Sequence, residues 1–372
     1  MERKELSNWL EHYRLGRISR RGFLAVTGIG STIAALGLEP RSADAQALSG
    51  TVTLATWPNY QNQKNLDAFT EKTGVTVNVA IFGSNEEMMA KMQAGDAGFD
   101  VVVPTNYAIQ PYAASELIEE LDLSLIPNYD ASSVDPRFVE QGKINGTTFA
   151  VHKNWGTSGF VINTSSIKTP FATVRDYFDG VRGPYSGYGV ALDHPLDTVG
   201  FALKYFGYSF NSINESELKK AEELLLDTKP HLYAISSDFQ AMIRSGDAHL
   251  AMCWSFDARQ LRRDMPEVEY IIAKEGGEIW SDFYVVTKTA PNKAAAYALI
   301  NHLLEPDNNV LEFEAHASAI ADARVIRLLP AEAQTDPILY PAKDLLTPLE
   351  FGLAEAMSNP LRNEIMARFK SA

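Results

Sequence analysis

Apolar positions along this chain fall into short runs and helical stripes that alternate from residue 51 onward. Thr51 to Thr56 has the pattern of a strand. Asn62 to Lys72 places Leu66 and Phe69 on one helical face and is closed by Gly74. Val75 to Phe82 predicts the next strand, and Ser84 or Asn85 caps a helix carrying Met88, Met89 and Met92 that ends at Gly95. Asp100 to Pro104 is a short apolar run of the kind found in a strand covered on both faces. Strand, helix, strand, helix, strand at this spacing predicts a mostly parallel α/β sheet.

The second half repeats the style. Gly189 to Asp193 predicts a strand, Pro195 to Phe206 a helix, and Glu215 to Leu226 a second helix capped by Asn214. Leu232 to Ser236, His249 to Trp254 and Val268 to Ala273 predict strands, and the Glu275-Gly276-Gly277 turn leads into another from Ile279 to Thr287. Lys293 to Leu304 and Asp307 to His316 predict helices, and the tail is expected to be helical from about Thr347.

A different pattern stands ahead of the first strand. Ser19-Arg20-Arg21-Gly22-Phe23-Leu24 precedes an uncharged, mostly apolar run from Ala25 to Leu38 that is too short and too rich in Gly, Ser and Thr for a membrane span. It looks like a twin-arginine export signal, with small residues offering cleavage after Ala45 or Ala47. Residues 1–47 are therefore read as an address, handled by export machinery, that sends the mature chain to the periplasm. There it cannot draw on cytoplasmic ATP or NAD.

Charge narrows the choice further. The 372 residues include 33 basic and 47 acidic side chains, a net charge of -14. Residues 1–47 carry seven basic and five acidic ones, so the remainder stands at -16. Such a surface repels nucleic acid and attracts cations, although ordinary solubility explains it equally well. The mature length exceeds what one core usually fills, so two domains are expected. Cys253, the single cysteine, cannot form an intramolecular disulfide and is expected as a buried thiol.

Catalytic patterns are missing. The chain has no Gly-x-Ser-x-Gly elbow, no His-Glu-x-x-His and no phosphate loop, and its seven histidines are scattered. Neither catalytic residue, metal ligand nor cofactor is expected. Several ordered segments stand out instead: Trp57-Pro58-Asn59-Tyr60, Phe82-Gly83-Ser84-Asn85-Glu86-Glu87-Met88, Thr105-Asn106-Tyr107, Ala251-Met252-Cys253-Trp254 and Glu275-Gly276-Gly277-Glu278-Ile279-Trp280-Ser281-Asp282. In their order and spacing they resemble the bacterial spermidine/putrescine-binding proteins of polyamine transporters. The resemblance runs over about residues 51–345. It implies an α/β, two-lobed solute-binding fold (type II) with two chain crossovers and a ligand cleft between the lobes. Residues 48–153 and 282–325 would form lobe 1, and 154–281 and 326–372 lobe 2. It also implies a monomer that delivers a small organic cation to an ABC permease of the inner membrane.

By the same resemblance Trp57, Tyr60, Tyr107, Trp254 and Trp280 supply aromatic walls, with Thr105 beside them, and Asp282 and Asp197 supply acids. Rings hold the methylenes and attract ammonium groups, and carboxylates fix the charged nitrogens. Asp197 is also what a helix first turn takes on its own account. Departures from the pattern bear on the ligand: Asn59 stands where an acid is common, His194 where an Asp is usual, Ser318 in place of a cleft Tyr, and Gly352 in place of a polar contact. Asp257 is a candidate replacement acid. A short diamine or monocation is therefore expected to bind better than spermidine. A ferric-ion or other small-solute binder of the same fold is the alternative, although clustered tyrosines are not evident.

Overall fold

The computed structural model describes residues 48–95 and 98–371. The expected export signal and both expected cleavage positions lie outside the described residues. Among the described residues there are twelve strands: β1 (Thr51–Thr56), β2 (Thr76–Ile81), β3 (Val101–Val102), β4 (Lys143–Ile144), β5 (Thr147–Thr148), β6 (Val151–Asn163), β7 (Gly189–Ala191), β8 (Leu232–Ile235), β9 (Leu250–Trp254), β10 (Val268–Ile271), β11 (Glu278–Val286) and β12 (Glu350–Phe351). Ten of them make one sheet in the order β2-β1-β3-β11-β6-β9-β7-β8, with β10 against β6 and β12 against β11, while β4 and β5 pair separately.

The expectation of a mostly parallel sheet holds only at its two flanks. β2, β1 and β3 are parallel, as are β9, β7 and β8, but β3–β11, β11–β6 and β6–β9 are antiparallel. The centre is a ribbon of two long strands, and β6 went unseen in the sequence. Its thirteen residues are buried throughout, so the strand lacks the alternation that exposes a half-buried one, and His152, Lys153, Asn154, Thr157 and Ser158 make it read as a loop. The predicted tail also differs: β12 interrupts it before the short Ala354–Met357 helix and the terminal Pro360–Ser371 helix.

Local chemistry explains the flanking helices. Asn62 caps Gln63–Thr73 by accepting from the Lys64 amide, and Gly74 closes it in the left-handed conformation. Leu66 and Phe69 are 2% and 1% exposed, and burial of such a side chain contributes about 1.5–3 kcal/mol. Ser84 caps Asn85–Gln93. Cys253 is a buried free thiol. Among the described residues no helix is long and apolar enough to cross a membrane.

Candidate functional site

The central ribbon places the site. Asn154 on β6 pairs with Asp282 on β11, and the register shifts between Asp282 and Phe283. Such a bulge re-aims a side chain, and Asp282 here forms a bridge to Thr105, which lies at the start of the Asn106–Ala114 helix. Thr105 Oγ1 donates to Asp282 Oδ1 at 2.7 Å and Tyr60 Oη donates to Oδ2 at 2.5 Å. Asn154 Nδ2 in turn donates to Tyr60 Oη at 2.7 Å. Tyr60 reaches this point because Trp57-Pro58-Asn59 turns sharply after β1, with Asn59 at φ 56°, a left-handed conformation asparagine tolerates.

Beside Asp282 opens a cavity of about 510 Å³. Trp57, Asn59, Tyr60, Thr105, Tyr107, Trp254, Trp280 and Asp282 all line it. Eight of the nine residues singled out from the sequence thus line one cavity. The ninth, Asp197, is fully buried beside Trp254, whose Nε1 donates to its Oδ2 at 3.0 Å. Trp254 stacks on Phe256, with centroids 5.9 Å apart at 10°, and Phe256 meets Trp280 edge-on at 6.1 Å. Gly156 on β6 makes room for Trp280: a Cβ there would lie 2.2 Å from its Cζ2.

Among the described residues five carboxylates line the cavity, Asp193, Asp238, Asp257, Glu278 and Asp282, and no Lys or Arg does. Burial pushes the Asp282 carboxyl up to about 6 against the pull of Tyr60, Thr105 and Lys153. It pushes Asp257 up to about 7, although Gln240 Nε2 donates to Oδ1 at 2.6 Å. Glu278 is driven well above the carboxylate range by burial and by the neighbouring Asp197. Its Oε1 has no hydrogen-bond partner, and Ser158 Oγ donates to Oε2 at 3.3 Å.

Residues missed in the sequence complete the site. Glu278 was visible only as part of a turn motif; Gly352 leaves space for it, since a Cβ at 352 would lie 2.7 Å from Oε1 and 2.7 Å from Tyr107 Cδ1. His316 lines the cavity near Ser318, its ring 5.5 Å from that of Tyr60. Lys153 is buried below Tyr60, 5.2 Å from its ring centroid, and is paired with Glu312 at 3.6 Å. Its Nζ also donates to Tyr284 Oη at 3.0 Å. Among the described residues no group of three or more His, Cys, Asp or Glu side chains is placed to hold a metal ion.

Residues 64–339 match the family model described as bacterial extracellular solute-binding protein. A putrescine-binding periplasmic protein of Pseudomonas aeruginosa is 30% identical over 342 residues, 86% of this chain and 92% of that protein. The spermidine/putrescine-binding periplasmic protein of Escherichia coli is 29% identical over 311 residues, 82% of this chain and 87% of that protein. A solved structure titled as a putative spermidine/putrescine ABC transporter from Listeria monocytogenes superposes with a TM-score of 0.79 at 29% identity, covering 86% of this chain and 98% of that one. The expected two-lobed α/β architecture agrees with these neighbours. This chain belongs to the bacterial extracellular solute-binding protein family.

Proposed function

We propose that this protein captures a small organic cation of the polyamine type in the cavity and hands it to an ABC permease of the inner membrane. It acts as a periplasmic monomer after its signal is cleaved. The observation that carries the reading is the lining: five carboxylates and a set of tryptophan, tyrosine and phenylalanine rings, with no Lys or Arg among the described lining residues. The names of the relatives support the same ligand class.

In this reading Asp282 anchors an ammonium, and Trp57, Tyr60, Tyr107, Trp254 and Trp280 hold the hydrocarbon. Thr105 orients Asp282, Asn59 sits at the rim, and Asp197 acts through Trp254. The lobes are 48–153 with 282–325 and 154–281 with 326–372. The divisions at 153/154 and 281/282 fall inside the paired strands β6 and β11, so a bend of one ribbon would open and close the cavity. No chemical step is part of this role.

Titration calorimetry and thermal unfolding with putrescine, cadaverine, spermidine, betaines, sugars and carboxylates test it. An amine at a hundred times its Kd should stabilise the fold by about 2.7 kcal/mol. Binding of a sugar or an anion, with no amine bound below about millimolar concentration, overturns it.

A further inference from the structure

We propose that His194 is a built-in cation that occupies the second ammonium position of the cavity, so that the site selects an amine with one cationic end. This rests on the cation-binding reading above. Beside Glu278, four residues along β11 from Asp282, stands what a second ammonium would need: a buried carboxylate, Asp197, which accepts from Trp254 Nε1 and acts on Tyr107. The chain has filled this place. His194 Nδ1 stands 2.8 Å from Asp197 Oδ2. Its ring meets Trp254 edge-on, with centroids 5.6 Å apart at 83°, and its Nε2 lies 3.4 Å from Tyr107 Oη.

The His194–Asp197 contact is local to one helix start and does not depend on how far the cavity closes, whereas the Tyr107 contact joins the two lobes. His194 is the N-cap of the Pro195–Tyr205 helix, in an extended conformation with proline at the first helical position. That geometry brings the third helical residue, Asp197, back onto the imidazole. The Asp197 amide also approaches Nδ1, at 3.4 Å. The shorter contact to the carboxylate sets the proton on Nδ1.

Charge around the pair agrees. Burial lowers the His194 pKa, but the hydrogen bond and charge of Asp197, with Glu86 and Asp193 farther off, outweigh it and hold the imidazole charged beyond its usual range. Asp193 is itself tied to Lys370 at 2.6 Å. Burial and the neighbouring Asp197 push Glu278, on β11, well above the carboxylate range, and the buried Arg362 feels the charge of both acids. His194 and the buried Arg362 thus both act on the Asp197 carboxylate. A ligand ammonium placed there would have to share Asp197 with His194 in a poorly screened site.

The test compares butylammonium with putrescine, which have the same four-carbon chain and differ by one ammonium. Calorimetry on the full mature protein near pH ~6.5 should give putrescine no more than about threefold tighter binding. The preference for putrescine should rise toward pH ~8.5 as the imidazolium loses its proton. In His194→Ala and His194→Gln it should rise at least about tenfold and lose that pH dependence. Wild-type protein that prefers putrescine by about tenfold or more at the lower pH overturns the inference, as does an unchanged ratio in both variants. If neither amine binds any form, the cation-binding reading itself falls and this inference with it.

Discussion

Two buried aspartates, Asp282 in the cavity lining and Asp197 behind it, are surrounded by charge in different ways. Asp282 takes hydroxyl donors from Tyr60 and Thr105, both neutral. The chain's own cation on that side, Lys153, is held by Glu312 at 3.6 Å. Asp197 takes His194 directly, at 2.8 Å. Hydroxyl donors satisfy oxygen lone pairs without supplying a positive charge, so Asp282 keeps an unmet charge in a buried place. That unmet charge is what a cationic ligand can supply, and the acid whose neighbours are neutral is the one expected to bind it. Acids counted along a sequence do not reveal this; their counter-ions do.

The strongest way to break the comparison is to remove the unmet charge. Asp282→Asn keeps the shape and both hydroxyl neighbours. A hydrogen bond to a charged group contributes about 1.5–3 kcal/mol, so amine affinity should fall about tenfold to a hundredfold in calorimetry. Unchanged binding would mean that Asp282 is not the anchor.

Acidification should do the same reversibly. The ordinary aspartate value is near 3.9 and that of Asp282 in the fold is about 6. The folded state therefore holds its proton more tightly, and this group's contribution to the stability of the ligand-free protein declines as pH rises from about 4 to 6. An amine needs the ionised form and compensates for that loss. The thermal upshift produced by ligand should be larger near pH ~7.5 than near pH ~5, and the difference should shrink in Asp282→Asn.

Removing a wall instead of the charge is the next test. Trp57 packs on Phe82, with centroids 4.5 Å apart, and lines the cavity. Trp57→Ala should weaken amines by about 0.5–2 kcal/mol, or roughly twofold to thirtyfold. The loss should depend less on ligand charge than that of Asp282→Asn. Glu312→Gln sharpens the contrast from outside the cavity. It frees Lys153, whose nearest remaining carboxylate influence is Asp282. The surroundings of Asp282 would then resemble those of Asp197, and amine affinity should fall by about threefold to tenfold. Circular dichroism and unfolding curves separate this from a loss of fold.

Much of this was legible in the sequence, for identifiable reasons. β1 and β2 are short runs rich in Val and Thr, and the helices after them carry an Asn62 or Ser84 cap with a glycine at or just past the end, so these four elements were located within a residue or two. The aromatic lining was legible through the family resemblance carried by Trp57-Pro58-Asn59-Tyr60 and Trp280-Ser281-Asp282, since a single Trp read alone points to core packing. β6 was not, since a strand buried on both faces with polar residues has no period to read. With it went Lys153 and Asn154, which shape the surroundings of Asp282. Glu278 and His316 carried no local signal, because their meaning comes from Asp197 and Tyr60, far away in sequence. His194 stood out as a departure from a family pattern, but its partner became evident only from the helix cap that turns Asp197 onto it.

The smallest effect is expected at the rim. Asn59 is exposed and lies in the left-handed conformation, which aspartate also tolerates. Asn59→Asp therefore adds one negative charge to the cavity mouth without straining the turn. Unlike Asp282, the new carboxylate would face water, where ion pairs contribute only about 0–1 kcal/mol and are screened by salt. Affinity for a diamine or triamine should rise about twofold to threefold at low ionic strength, and the gain should vanish near ~0.5 M salt. Butylammonium, with its single charge engaged at Asp282, should gain less. An equal gain for all amines would mean that the added charge acts through the general field of the cavity and not on a second ammonium. A gain as large as the loss from Asp282→Asn would place the main anchor at the rim, and the contrast between the two buried aspartates would no longer explain selectivity.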